Sequence, residues 1–121
     1  MTVRKPTFPA AVQGCFYLAT GVWPLVHMES FLAVTGPKVD LWLVDTVGVL
    51  VAVVGVVLLI AAGSGRVTPE IALLATGAAL ALTTIDVVFV SRRVIPPIYL
   101  ADAGAEVVLV LRWAVALSGK R

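Results

Sequence analysis

The chain has 121 residues, 60% of them hydrophobic and 13% charged, with a formal net charge of +2. So small a domain cannot hide that apolar share beneath a water-facing surface, which excludes soluble globular, disordered and collagen-like classes and leaves an integral membrane protein. One cysteine (Cys15) excludes an internal disulfide, one histidine (His27) excludes a bis-histidine haem site, and the nine basic residues form no aromatic-interleaved run of the kind that binds nucleic acid.

A membrane helix needs about 20 mostly apolar residues, and four stretches qualify: 10–33, 41–62, 70–90 and 97–117. The expected fold is therefore all-α, one domain over residues 1–121, with four transmembrane helices in an up-down-up-down bundle. The first span follows Arg4-Lys5. It is too long for a cleaved signal peptide, contains Pro24, His27 and Glu29, and lacks a small-residue cleavage site. Within it Gln13, Tyr17, Thr20, Pro24 and His27 stand at offsets 0, 4, 7, 11 and 14. They form one polar seam, expected to face the bundle interior or a partner subunit and to serve interhelical hydrogen bonding or to line a hydrated path. Pro24 frees a backbone carbonyl near Thr20, which a hydroxyl or a water can satisfy. His27 and Glu29 lie about 200° apart on an ideal helix, so they do not point at one metal ion. His27 reads as a buried, hydrogen-bonded residue or a proton carrier.

Thr35-Gly36-Pro37-Lys38 closes the first span. In the second, Asp45 shares a stripe with Gly48, Ala52 and Gly55, small residues that admit another helix closely, so Asp45 is expected to face protein. Gly63-Ser64-Gly65-Arg66 ends that span, and Thr68-Pro69-Glu70 is a helix start with proline in the first turn and an acid near the positive end of the dipole. Thr83 sits one turn from Asp86 in the third span, and Ser91-Arg92-Arg93 leads to Pro96-Pro97. The fourth carries Tyr99, Asp102 and Glu106 on one face. Like charges at a four-residue spacing repel, so one acid is expected to hold a proton or both to share a cation. Arg112 is placed to snorkel, and Trp23, Trp42, Tyr99 and Trp113 lie near span ends, as interface anchors do.

An internal duplication is also legible. A shift of 57 residues lays Leu41-Trp42-Leu43-Val44-Asp45 over Ile98-Tyr99-Leu100-Ala101-Asp102, Glu29 over Asp86, Met28 over Ile85 and Gly21 over Ala78. Each half then reads as a helical hairpin, and the two form parallel repeats about an axis along the membrane normal. On this reading Glu29, Asp45, Asp86 and Asp102 share one level near the non-cytoplasmic surface, with Glu106 a turn deeper. They are there either to solvate the rim beside Lys38, Arg92 and Arg93 or to form an inward-facing cup that binds protons or a small cation. Six basic residues (Arg4, Lys5, Arg66, Arg112, Lys120, Arg121) fall on the side of both termini against three on the other, which places the termini in the cytoplasm of a multi-pass cell-membrane protein.

Trp23-Pro24-Leu25-Val26-His27-Met28-Glu29, residues 31–38, and the Asp45 and Asp102 segments together resemble small uncharacterised bacterial four-helix membrane proteins of about this length. That resemblance implies the fold and the inner membrane but no activity. In size and span count the chain is similar to the small multidrug resistance transporters. Those carry a glutamate midway along the first helix, where this chain has Tyr17 to Thr20, so none of their residues is carried over. Three functions are compatible with the residues. They are proton or small-cation binding or transport as an oligomer, an accessory role on a partner membrane protein or lipid, and a membrane enzyme acting on a lipid-like substrate with Glu29, Asp102 or Glu106 as acid–base groups. No cofactor or metal motif and no nucleophile constellation is present in the sequence, and the bilayer and a second copy or a membrane-protein partner are the expected partners.

Overall fold

Apolar runs separated by turn sequences become, in a computed structural model describing residues 7–118, five helices with no strand among the described residues. They are α1 (Thr7–Val26), α2 (Met28–Thr35), α3 (Leu41–Ser64), α4 (Pro69–Ser91) and α5 (Tyr99–Leu117). Arg4, Lys5, Lys120 and Arg121, four of the cations in the charge-asymmetry argument, lie outside the described residues. Two helices, α3 and α4, are long and apolar enough to cross a membrane. Polar residues dilute the other two long helices: Gln13, Tyr17 and Thr20 in α1, and Asp102, Glu106 and Arg112 in α5.

The expected continuous helix over 10–33 is broken into α1 and α2. Pro24 leaves the Thr20 carbonyl without its usual donor and crowds it, so the chain bends within the next turn. His27 leaves helical geometry at φ −146°, ψ 78°, and starts α2 by accepting the Ser30 amide proton on Nδ1 at 3.2 Å. Ser30 Oγ ties the corner together, taking the Trp23 indole proton at 2.8 Å and meeting His27 Nδ1 at 2.8 Å. His27 is thus exposed and acts as a helix cap, which corrects its expected burial. The remaining boundaries differ by a residue or two, and the turn chemistry accounts for them. Gly65 ends α3 at φ 68°, Thr68 caps α4 by accepting the Ile71 amide proton at 3.3 Å, and Pro96-Pro97 holds back the start of α5 to Tyr99.

α1 and α3 form the closest pair, and glycine makes the approach possible. A Cβ on Gly21 would lie 2.6 Å from the Ala52 nitrogen and the Gly48 carbonyl oxygen, and one on Gly55 would lie 2.7 Å from the Leu18 nitrogen. Gly14 faces Gly55 while Gly21 faces Gly48, so the two helices run antiparallel with backbones in contact. α4 packs on α5, and the small residues Ala72, Ala75 and Ala79 of α4 and Ala103 of α5 are buried. Slimmer contacts of α1 with α5 and of α3 with α4 close a ring of four helices. At one end of that ring Ala10, Leu58, Ala72, Ala75 and Trp113 form the apolar core, one or two residues from each long helix.

Candidate functional site

Three side-chain hydrogen bonds join the α1–α3 hairpin to the α4–α5 hairpin, and all are buried. Gln13 Nε2 donates to the Ala75 carbonyl at 2.9 Å, Trp113 Nε1 donates to Gln13 Oε1 at 2.7 Å, and the Tyr17 hydroxyl donates to Glu106 Oε1 at 2.7 Å. The helical period explains the alignment. Gln13 and Tyr17 are one turn apart on α1; Tyr99, Asp102, Glu106 and Trp113 follow one face of α5. With α5 antiparallel to α1, moving from Tyr17 to Gln13 matches moving from Glu106 to Trp113.

The acids gather beside this seam. Glu106 is 1% exposed and Asp86 4% exposed, whereas Asp102 is half-buried. Asp102 lies one turn before Glu106 on the same face of α5, and α4, which carries Asp86, packs on that helix, so the three acids belong to one neighbourhood. Asp86 Oδ2 is buried and receives no hydrogen bond. Two carboxyl groups can bond each other only when one brings a proton, because an ionised carboxylate has no donor. The one hydrogen bond recorded within this group of side chains is that from the Tyr17 hydroxyl to Glu106. Gln13 and Trp113, a turn or two further along, are engaged with each other and with the Ala75 carbonyl.

The other expected site residues lie elsewhere. Glu29 is exposed on α2, and Asp45 is half-buried near the start of α3. The helix break carries Glu29 out of line with Asp86, its partner in the 57-residue shift. Thr20 donates to the Phe16 carbonyl at 2.8 Å and Thr83 to the Ala79 carbonyl at 2.8 Å, so both hydroxyls serve their own helices. Tyr99 meets a cation instead of an acid: Lys38 Nζ stands 5.2 Å from its ring centroid. Arg112 remains exposed, with its guanidinium 4.9 Å from the Phe8 ring centroid. Among the described residues no three His, Cys, Asp or Glu side chains are placed to hold a metal ion.

Sequence reasoning missed Trp113. Its position near a helix end suggests an interface anchor, yet it is fully buried and bonded to Gln13. The available signal was its seven-residue spacing from Glu106, which puts both on the inner face.

No family model, no curated protein and no solved structure matches this chain.

Proposed function

We propose that this chain is a multi-pass membrane protein whose α1, α3, α4 and α5 cross the bilayer with the termini in the cytoplasm. Its Asp86–Asp102–Glu106–Tyr17 cluster binds protons entering from the non-cytoplasmic side. The observation that carries the reading is the buried Asp86 Oδ2, without a donor, beside a second carboxyl group. A proton fits that place with no rearrangement, and the closed packing around Glu106 and Asp86 favours it over a larger cation. Asp102, the least buried of the three, is the entry point.

Support for four spans comes from where the polarity points. Of the residues that make α1 and α5 less hydrophobic, Gln13, Tyr17 and Glu106 are at most 1% exposed, Thr20 and Asp102 are half-buried, and Arg112 is exposed. Large apolar residues line the outside of all four long helices, among them Val12, Leu50, Leu73 and Leu111. A surface of that composition belongs against lipid or another subunit. A homo-oligomer would let several clusters act together.

The satisfied Gln13–Trp113–Ala75 bonds favour a second reading, in which the seam simply locks the hairpins together in an accessory protein. Proton flux in proteoliposomes under a pH gradient separates the two. Wild-type flux that falls at least about tenfold in Glu106→Gln and Asp102→Asn, with the fold retained, supports proton transfer. A silent wild type whose melting temperature drops in the same variants supports the accessory role.

A further inference from the structure

The turn after α2 gathers polar and aromatic partners around an ammonium group. Lys38 Nζ donates to Thr35 Oγ1 at 2.8 Å, to the Gly36 carbonyl at 3.1 Å and to the Thr35 carbonyl at 3.2 Å. It also lies 5.5 Å from the Phe31 ring centroid and 5.2 Å from the Tyr99 ring centroid. An ammonium has three donors, and here all three find oxygen acceptors while two aromatic rings take up the rest of its charge.

The receptor is built from fixed parts. Thr35 is buried, and its hydroxyl donates to the Phe31 carbonyl at 2.8 Å, which orients the oxygen that Lys38 uses. Gly36 has φ 97° and packs so tightly on Pro96 that a Cβ there would come within 2.8 Å of the proline ring. That contact holds the turn against the start of α5, where Tyr99 supplies the second wall. Phe31 is in turn held edge-on by Trp23, with ring centroids 5.3 Å apart.

Every partner of Lys38 here is neutral. A lysine serving only to pin the turn gains more from a carboxylate, and acids are not far along the chain at Asp40 and Asp45. A cage of two aromatic faces and three neutral oxygens is chemistry for an alkylammonium. A bare alkali or alkaline-earth ion requires a fuller shell of oxygens at shorter range. Tyr99 also stands one turn before Asp102 on the same face of α5.

We propose that Phe31, Thr35, Gly36 and Tyr99 form a binding site for a primary alkylammonium group, which Lys38 occupies as a tethered internal competitor. The site is separate from the proton cluster and stands or falls independently of it. Because the tether is only two or three residues long, Lys38 acts at an effective concentration in the millimolar range or above, and free amine must overcome it.

The test uses methylammonium with purified full-length protein in detergent, followed by calorimetry. Lys38→Met vacates the cage and is expected to bind methylammonium saturably, about tenfold or more tighter than wild type. Adding Tyr99→Leu removes one wall at unchanged net charge and is expected to abolish that binding. Adding Glu106→Gln instead is expected to preserve it. Equal affinity in wild type and Lys38→Met, or retention in Lys38→Met/Tyr99→Leu, overturns the proposal, the latter by assigning the cation to the acids. Loss in Lys38→Met/Glu106→Gln with the fold intact overturns it likewise. Should Lys38→Met fail to fold, acylation of Lys38 by acetic anhydride is compared in wild type and Tyr99→Leu by peptide mass spectrometry. A rate about tenfold slower in wild type supports the cage, and equal rates sink it.

Discussion

The Tyr17 hydroxyl decides how well Glu106 tolerates its surroundings. It is a donor at 2.7 Å to a side chain that is 1% exposed, so removing it leaves a buried acceptor short of a partner. That omission costs about 1–3 kcal/mol, whereas exchanging the carboxyl for an amide retains the accepting oxygen. Tyr17→Phe is thus expected to destabilise by about 1–3 kcal/mol, and Glu106→Gln by less. Reversible unfolding in detergent measures both. A Tyr17→Phe protein as stable as wild type would show that the hydroxyl contributes nothing. Of this site, the sequence revealed the local half. The four-residue spacing of Asp102 and Glu106 and the four-residue spacing of Gln13 and Tyr17 each define a helix face without any structure. That Tyr17 meets Glu106 across 89 residues depends on the register between two hairpins, and single-helix periodicity contains no information about it.

At the scale of helices, the α1–α3 pair is set by the absence of side chains. The stripe Gly48, Ala52, Gly55 was readable as a face for close approach; its counterpart, Gly14 and Gly21, was not, because the polar seam on α1 draws attention to a neighbouring strip of the same helix. The break at His27 was hidden for a related reason. Pro24 announces a bend, but the place where the chain turns is chosen by Ser30 Oγ and the Trp23 indole, which interact only after the turn exists. Glycines on this molecule divide into two kinds, and that division is testable. Gly21→Ala would push a methyl against backbone at 2.6 Å, and is expected to lower stability by about 1–3 kcal/mol through forced separation of α1 and α3. Gly104→Ala meets nothing within 4 Å and is expected to be neutral or to stabilise α5 by roughly 0.5–1 kcal/mol, since alanine loses less backbone entropy in a helix. Melting curves for the two variants side by side give the answer; equal losses would remove the distinction.

For the whole molecule, the proposal that α1 and α5 lie in lipid along with α3 and α4 turns on the face that lipid would meet. Hydropathy averaged around a helix undervalues α1, because it counts Gln13 and Tyr17 although both side chains are buried inside the ring. What lipid would meet is the opposite face, and that face carries a natural reporter. Cys15 is the chain's one thiol, exposed and nine residues into a helix of twenty. At about 1.5 Å per residue it stands roughly 12 Å from the first residue of α1 and so near the middle of a layer of about 30 Å of hydrocarbon if α1 spans it. In proteoliposomes Cys15 is therefore expected to react with an uncharged, lipid-soluble maleimide and to resist a membrane-impermeant sulfonated one at every time point that labels a water-exposed control thiol. Solubilising in a denaturing detergent should make both reagents effective. Rapid labelling by the charged reagent in intact vesicles would place α1 in water, and with it would go the bilayer-enclosed setting in which the carboxyl trio makes sense as a proton site.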